Sequence, residues 1–446
     1  MIAVPGAVAA LLRRGLVDTA LQVAATVGTR FLLILAIFVL ARFVGTDEIA
    51  TYDLFIVATS LLLIVMTFGL DSALAIVATE TDEESRHAAI WTSILMTVVL
   101  FVSLYWPLRL ASQVPQLQSL LPPKVFNAAY LYAGGSALMT LVFAYFRWLG
   151  KALAASAVIT VANVVGVTAG AIWFAKTGTI DGFISGLLLG SAIGTAAVLW
   201  IISRHAPLLP VLRKHGGLTA LSARLANLAW PFGIASLLLI ARRAVDRGIL
   251  IGAGGASALG SYALVSRAGE TGAFFLALPA MGVAPIILAR HREAEGQHVA
   301  RLLYGGYLLL SLAVVAVVVV IVRFGQGLVP PAAVAALPAL AALTVGNLFF
   351  TESTVAGFGF VINGRTSAIA WLSLLFIAVM VAVAWPLSRA FGPLIGVSAG
   401  FVIAAFVHSS LFIWLSERVV TFGYPLKLIV ALKLVVLGLS LYLLFA

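Results

Sequence analysis

The sequence contains no cysteine and few charged residues. Of its 446 residues, 10% are charged, with 16 acidic against 27 basic side chains. The absence of cysteine excludes disulfide bonds, thiolate metal sites and cysteine nucleophiles. A chain of this length is long enough for two or three soluble domains, but so few charges would leave their surfaces largely apolar. The sequence therefore predicts that most of the chain avoids water.

Motifs for two other kinds of chemistry are also missing. No Gly-x4-Gly-Lys-Ser/Thr sequence is present, which excludes a pump that carries its own ATPase. No histidine or His/Asp cluster has the spacing of metal ligands. We therefore predict no metal site, no cofactor and no enzymatic activity.

Apolar residues dominate what is present. They make up 63% of the chain, and the mean hydropathy is +1.15. Runs of about 20 apolar residues, each long enough to cross ~30 Å of hydrocarbon, recur along the whole length. The thirteen predicted segments are 19–41, 51–79, 87–108, 125–147, 153–175, 181–203, 225–250, 259–288, 302–322, 337–361, 367–387, 391–416 and 427–446. The sequence predicts an all-α polytopic membrane protein with about 12–14 transmembrane helices.

Basic residues in the predicted loops indicate the orientation. The first apolar segment follows Arg13 and Arg14 and lacks a small-residue cleavage site, so we expect a retained helix. With a cytoplasmic N-terminus, fifteen loop Lys and Arg residues lie inside and seven outside, as the positive-inside rule requires. The seven predicted outer positions are Arg42, Arg109, Lys124, Lys176, Arg247, Arg323 and Arg389. The net charge of +11 is mostly this signal, so we predict no nucleic-acid partner.

A basic loop divides the chain into two predicted lobes. It covers residues 204–223 and follows the sixth apolar segment. We predict an N-terminal lobe at 1–203, a C-terminal lobe at 224–416 and an additional C-terminal helix at 417–446. Each lobe has six helices, an even number, so both run in the same direction and are related by a parallel pseudo-two-fold axis along the membrane normal.

The two opening hairpins resemble each other in sequence. Gly45-Thr-Asp-Glu-Ile-Ala-Thr-Tyr52 and Gly255-Ala-Ser-Ala-Leu-Gly-Ser-Tyr262 both read Gly, four residues, a small residue, a hydroxyl residue and Tyr. Further stretches occur at Ala41-Arg-Phe-Val-Gly45, Phe68-Gly-Leu-Asp71, Asp246-Arg-Gly-Ile-Leu-Ile-Gly and Ala284-Pro285. In these stretches the chain resembles bacterial oligosaccharide flippases of O-antigen and exopolysaccharide export. They form the polysaccharide-transporter branch of the multidrug/oligosaccharidyl-lipid/polysaccharide exporter superfamily.

Four arginines lie within or beside predicted spans, where a charge near the bilayer centre costs roughly 2.5–3.5 kcal/mol. They are Arg30, Arg242, Arg243 and Arg267. Arg30 is ~18 Å deep at 1.5 Å per residue, and Gln22 and Thr26 share its helix face. We predict that the four arginines form a cationic substrate cavity, with Gln22, Thr26 and Asn347 as polar lining residues. An arginine that only holds helices together is the alternative.

Acidic residues near these arginines have two possible roles. Asp246 is four residues from Arg242, and Glu270 is three from Arg267, so each is expected to pair within its helix. Glu270, Glu352, Asp246 and Asp71 are also candidates for coupling transport to an ion gradient. We expect Asp71 at the end of the second helix, near the inner interface. A hydrogen-bonded helix contact is the alternative for Glu352.

The resemblance implies a flippase that moves a polyprenyl-diphosphate-linked oligosaccharide to the outer leaflet by alternating access. Its expected partners are this substrate, membrane lipids, H+ or Na+ and other polysaccharide-assembly proteins. We expect a monomer in the bacterial inner membrane. A cation-coupled multidrug exporter of the same fold is one alternative, and a membrane-embedded glycan polymerase or glycosyltransferase is another.

Overall fold

The computed structural model describes residues 35–80, 82–115, 118, 122–149, 152–206, 218–327, 329–362 and 366–445. These residues are helical and contain no strand. The helices are α1 (Thr46–Thr67), α2 (Leu70–Glu80), α3 (Glu83–Ala111), α4 (Pro123–Trp148), α5 (Ala152–Thr177), α6 (Ile180–His205), α7 (Leu218–Arg290), α8 (Ala294–Phe324), α9 (Pro331–Val334), α10 (Leu337–Ala356), α11 (Phe358–Ile362), α12 (Thr366–Phe391), α13 (Pro393–Val419) and α14 (Leu426–Phe445). An all-helical chain is expected in lipid, because each helix satisfies its own backbone hydrogen bonds.

Eleven helices within the described residues are long and apolar enough to cross a membrane. One of them, Thr219–Ala280, contains one predicted segment, 225–250, and most of another, 259–288. The predicted segment at 19–41 lies mostly outside the described residues. With these two differences the eleven helices correspond to the thirteen segments, so the predicted all-α polytopic fold is confirmed.

A glycine interrupts one of the predicted segments. The segment at 51–79 breaks between α1 and α2, where Phe68 has φ 38° and Gly69 has φ 80°. A Cβ atom on Gly69 would lie 2.3 Å from the carbonyl oxygen of Ala229, so a close approach of α7 requires glycine here. Asp71 consequently lies in the first turn of α2, so the prediction that it ends the preceding helix is wrong.

The long helix α7 is divided in the same way. Gly255 has φ 73° and ψ −171° inside the run Leu218–Arg290, which separates a first arm at 218–254 from a second arm at 256–290. A residue with this conformation ends the regular hydrogen bonding of an α-helix. The two arms correspond to the two segments that the sequence predicts on either side of this glycine.

The chain divides into two compact units. One is Glu48–Gly248, and the other is Ile249–Ala446 with the described residues before Glu48. In the first unit, Leu225 and Ala229 of the first α7 arm share a core with Leu74 and Tyr145. The sequence assigns this arm to the C-terminal lobe, so the units follow packing and not the predicted repeat. The lobes at 1–203 and 224–416, the linker at 204–223 and the helix at 417–446 stay a prediction.

In the second unit, α10 is the most enclosed membrane helix, because 83% of the residues in its most apolar stretch are buried. Its neighbours are α8, α13 and α14. Lipid contacts only the outer faces of such a bundle, and four polar residues of α10 are buried against protein: Thr344, Asn347, Glu352 and Ser353. The enclosed position of α10 determines the environment of Glu352.

Candidate functional site

Three of the predicted site residues, Arg30, Gln22 and Thr26, lie outside the described residues. The described candidates fall in two groups, one in each compact unit. Arg242, Arg243 and Asp246 belong to Glu48–Gly248, and Arg267 and Glu270 belong to the second unit. A shared cavity of these residues therefore stays a prediction, and each group is described by itself.

Arg247 is the most buried arginine of the described chain. Its side chain is 1% exposed, and it lies between two carboxylates on the first arm of α7 and on α1. The Arg247 Nε donates to Asp53 Oδ2 at 2.9 Å, and Nη1 donates to Asp246 Oδ2 at 2.6 Å. The Arg247 backbone N–H also donates to Asp246 Oδ1 at 2.7 Å. This charged group ties α1 to α7 inside the first unit.

Arg247 is predicted to lie in an outer loop, and this prediction is wrong because Arg247 is buried inside α7. Arg247 lies in the last turn of the predicted segment 225–250, where the positive-inside rule assigns its charge to the outer side, but α7 continues to Gly255 and buries it. Asp53 is 0% exposed and lies within α1. A buried acid of this kind requires a cationic partner, and that requirement is the signal that would have identified Arg247.

Arg242 and Arg243 lie about one turn before this charged group, and both are half-buried. The i, i+4 spacing places Arg242 and Asp246 on the same face of the helix. Half-buried arginines near an ion pair keep the local charge positive without full desolvation. Their role in binding substrate stays a prediction.

The predicted pair on the second arm of α7 is confirmed. Arg267 Nη1 lies 3.3 Å from Glu270 Oε2, and the two side chains are 12% and 16% exposed. One turn of helix brings the two groups together, as the i, i+3 spacing requires. The adjacent Gly269 lets this arm approach α10, because a Cβ there would lie 3.1 Å from the backbone of Thr344.

Glu352 forms an ion pair that the sequence analysis does not predict. Its Oε2 lies 2.7 Å from Lys433 Nζ on α14, and both side chains are 3% exposed or less. Tyr304 of α8 donates its hydroxyl hydrogen to Glu352 Oε1. Lys433 also donates to Ser409 Oγ of α13 at 2.6 Å. Four helices therefore meet at this charged cluster, which we call the Glu352 cluster.

The surroundings of the Glu352 cluster are apolar and nearly dry. Lys433 Nζ lies 5.1 Å from the ring centre of Phe349 and 5.7 Å from that of Phe406, within range of cation–π attraction. The adjoining cavity measures about 30 Å³, room for about one water molecule. Asn347, one turn earlier on α10, donates its side-chain N–H to the carbonyl of Leu343 at 2.8 Å and is 5% exposed.

Asp71 has a different environment from the other three candidate acids. It lines a cavity of about 370 Å³ in the first unit, together with polar and aromatic side chains of α2, α4 and α7. The lining residues are Asp71, Ser72, Ile76, Thr140, Phe143, Ala144, Arg147 and Phe232. Asp246, Glu270 and Glu352 are each held in an ion pair, whereas within the described residues no cation lies at ion-pair distance from Asp71.

The described chain contains no group of three or more His, Asp or Glu side chains placed to hold a metal ion.

The family of the chain follows from its sequence. A model of the family described as polysaccharide biosynthesis protein matches residues 16–291, which is more than half of the 446 residues. The chain belongs to this family. The matched range contains all four predicted site arginines. The predicted recognition as a polysaccharide-transporter protein is thus confirmed. No curated protein matches the sequence.

Solved structures of several membrane transporters share the fold of the chain. An inward-facing multidrug resistance MATE family transporter of the MOP superfamily is 15% identical, with a TM-score of 0.68, and the match covers 92% of this chain and 98% of that chain. The outward-facing form of such a transporter is 17% identical, with a TM-score of 0.62 and coverage of 92% and 96%. The lipid II flippase MurJ in an inward closed conformation is 13% identical, with a TM-score of 0.66 and coverage of 95% and 98%. At these identities the likeness shows the fold of a multi-pass membrane protein.

Proposed function

We propose that the protein is a flippase for a polyprenyl-diphosphate-linked oligosaccharide. It would take this lipid from the cytoplasmic leaflet of the bacterial inner membrane and deliver it to the outer leaflet. The observation that carries the proposal is the family match at residues 16–291, because that range holds the intramembrane arginines. Membership in a polysaccharide biosynthesis family supports a glycan as part of the substrate. The arginines support a phosphate-bearing lipid, because their side chains can bind phosphate oxygens.

The charge of the arginine-containing helices supports an anionic substrate. Five arginines at membrane depth stand against three acids of the same regions. The arginines are Arg30, Arg242, Arg243, Arg247 and Arg267, and the acids are Asp53, Asp246 and Glu270. Arg247 and Asp53 carry opposite charges and cancel each other in this count. The formal charge of these regions is therefore positive. The planar guanidinium group binds two phosphate oxygens at once.

Alternating access between two lobes would move the headgroup across the membrane. The glycan and the diphosphate would pass through a polar cavity, while the apolar tail stays in the bilayer and slides along the protein surface. Such a mechanism requires no hydrolysis by the protein itself. The fold that the chain shares with MATE transporters and MurJ is compatible with this mechanism.

An ion gradient or the membrane potential would supply the energy. Glu270, Glu352, Asp246 and Asp71 remain the candidate coupling sites. Three of these acids already have a cationic partner, so an incoming proton or Na+ would have to compete with an arginine or lysine. Asp71 faces a cavity instead, which gives an ion direct access to its carboxylate.

A cation-coupled multidrug exporter is the second candidate function. The observation that favours it is the fold shared with MATE transporters, with a TM-score of 0.68. A site for cationic drugs requires acidic or aromatic lining without surplus positive charge. The arginine-rich helices therefore favour the flippase over the multidrug exporter. A membrane-embedded polymerase or glycosyltransferase would need catalytic side chains on an outer loop, and the predicted loop at 108–124 has only Arg109 and Lys124 as charges.

Export of glycan in living cells tests the proposal. In a strain that lacks the gene, we expect Arg30→Ala, Arg242→Ala and Arg267→Ala each to lower surface glycan at least about tenfold, which corresponds to a loss of ~1.4 kcal/mol. Arg323→Ala, an exposed arginine at the end of α8, is the matched control and should export normally. Membrane abundance of every variant is measured in parallel. Full export by all three variants would contradict the cationic-cavity hypothesis.

A further inference from the structure

The cavity that contains Asp71 has the size of a small-ligand site. Its volume of about 370 Å³ falls in the range of ~300–1,000 Å³ that is typical of ligand pockets. At ~30 Å³ per water molecule it holds roughly a dozen waters, enough room for one or two sugar rings. All of its lining residues lie within the compact unit Glu48–Gly248.

The polar lining of this cavity matches a hydroxyl-rich ligand. Asp71 and Ser72 come from the first turn of α2, and Thr140 and Arg147 come from α4. The carboxylate accepts hydrogen bonds, the serine hydroxyl both donates and accepts, and the guanidinium only donates. The Thr140 hydroxyl donates to the carbonyl of Ser136 at 2.8 Å, so its oxygen remains an acceptor. A sugar, whose hydroxyls are donors and acceptors, satisfies all of these groups together.

The apolar lining supports the same ligand class. Phe143 of α4 and Phe232 of the first α7 arm contribute two aromatic side chains to the wall. An aromatic wall packs against the C–H faces of a pyranose ring, while the polar groups reach its hydroxyls. A diphosphate is a poorer fit, because the lining has one carboxylate, Asp71, and one guanidinium, Arg147, and so no surplus positive charge.

The position of the cavity agrees with loading from the cytoplasm. Arg147 lies in the last turn of α4, next to a loop that the positive-inside rule assigns to the cytoplasmic side. A substrate in the cytoplasmic leaflet presents its glycan to that side. The cavity would therefore be available before the lobes change conformation.

We propose that this cavity is a glycan subsite, which binds one sugar of the lipid-linked oligosaccharide through its hydroxyl groups. Asp71 accepts hydrogen bonds from a pair of sugar hydroxyls, Thr140 and Ser72 bind neighbouring hydroxyls, and Phe232 packs on the ring. The subsite rests on the proposed flippase function. It assigns Asp71 to recognition of the sugar and not to ion coupling.

Binding to the purified full-length protein in nanodiscs tests the subsite. Two probes are compared, a short-chain polyprenyl diphosphate and the same lipid linked to N-acetylglucosamine. We expect the wild type to bind the glycosylated lipid about tenfold more tightly than the bare lipid. Asp71→Asn and Thr140→Val should reduce this preference below about threefold and leave the affinity for the bare lipid unchanged.

Control variants separate binding from folding. Thr177→Val removes a hydroxyl with the same local bond as Thr140, a donation to the carbonyl four residues earlier at 2.9 Å, but it lies outside the cavity lining and should keep the tenfold preference. Ser72→Ala is a milder second variant in case Asp71→Asn fails to fold, as judged by size-exclusion chromatography. It should lower the preference by about two- to threefold.

The possible outcomes distinguish the subsite from the flippase function. If the wild type binds both lipids equally, the subsite is wrong and the flippase proposal stands. If it binds neither lipid, the flippase proposal fails with the subsite. Asp71→Asn could instead weaken the binding of both lipids equally and abolish a Na+ or pH dependence of binding. In that case Asp71 is an ion-coupling residue, and the glycan subsite is overturned.

Discussion

Arg247 is held between Asp53 and Asp246 in the interior of the unit Glu48–Gly248. Charges removed from water are costly, and their mutual attraction only offsets that cost. The group is therefore a weak source of net stability but sensitive to the loss of one member. A neutral replacement of the whole group would be tolerated better than the removal of its arginine.

Removal of the buried guanidinium provides the first prediction. Arg247→Ala should destabilise the protein by about 3–5 kcal/mol, because it leaves Asp53 buried without its arginine. Arg247→Met combined with Asp53→Asn keeps the volume and removes both charges, so it should cost less than the single variant. Thermal unfolding in detergent measures the stability of the single variant and of the double variant. A double variant that is less stable than Arg247→Ala would show that the pair is net stabilising.

The Glu352 cluster gives a second prediction at the residue scale. Lys433→Ala leaves Glu352 with its Tyr304 hydrogen bond but without its ammonium partner. We expect lower unfolding temperature and reduced membrane abundance, and we expect Glu352→Gln with Lys433→Met to recover part of the loss. Lys427→Ala, an exposed lysine at the start of the same helix, is the control. Glu352→Gln and Lys433→Met are also measured singly. If their separate effects on stability add up to the effect of the double variant, the two side chains do not interact directly.

Local spacing explains which residue contacts the sequence can predict. Arg267 and Glu270 are one turn apart, so the helix period alone brings them together. Arg247 and Asp53 are separated by 194 positions, and no local pattern encodes that contact. Lys433 lies inside a predicted apolar segment, and its partner Glu352 lies on another helix, so no local pattern predicts this pair. The cavity beside Asp71 is likewise formed by residues from three helices, α2, α4 and α7, so no local pattern predicts it.

Helices α5 and α6 approach each other closely along their backbones. Gly186, Gly190 and Gly194 form a small-residue stripe, and the sequence predicts that it serves close helix packing. A Cβ on Gly186 would lie 2.0 Å from the Gly170 backbone nitrogen, and one on Gly190 would lie 2.4 Å from the Ala162 carbonyl oxygen. The prediction is confirmed, because each contact excludes even a methyl group.

A single methyl group tests this packing. Gly186→Ala should separate α5 from α6 and lower stability by about 1–3 kcal/mol, as overpacking does elsewhere. Gly306→Ala on α8 meets nothing within 4 Å and should be neutral or slightly stabilising, since alanine favours a helix. Unfolding temperatures of the two variants are compared. Equal stability of both would contradict the close approach.

The positions of most helices follow from hydropathy, but their breaks do not. The apolar run continues through Phe68 and Gly69, and no change in hydropathy marks the turn between α1 and α2. The break depends on contact with Ala229 of another helix, which a local pattern does not contain. The Gly255 break was anticipated only because it falls between two predicted spans.

Orientation in the membrane is a property of the whole molecule, and the absence of cysteine makes it directly measurable. In the cysteine-free chain, Thr179→Cys and Ser203→Cys each introduce one exposed thiol, at opposite ends of α6. With a cytoplasmic N-terminus, a membrane-impermeant maleimide should label Thr179→Cys in spheroplasts. It should label Ser203→Cys only after the membrane is permeabilised. The reverse pattern would invert the predicted topology.

The sequence predicts the whole-molecule architecture to the level of an all-α polytopic fold and a family. Hydropathy determines the spans, and the family match confirms the recognition. The compact units divide the chain at Gly248 instead of at the basic loop. That difference arises because the first α7 arm contributes Leu225 and Ala229 to the core of the preceding helices. The sequence repeat does not determine which helices pack together, and the compact units follow the packing.

Transport of a lipid-linked glycan in proteoliposomes tests the central claim most directly. The purified protein is reconstituted with a fluorescent polyprenyl-diphosphate oligosaccharide, and the fraction that becomes inaccessible to an external glycosidase is followed with and without a pH gradient. We expect translocation by the wild type and at least about a tenfold lower rate for Arg242→Ala with Arg267→Ala. A rate equal to that of protein-free vesicles would contradict the flippase proposal.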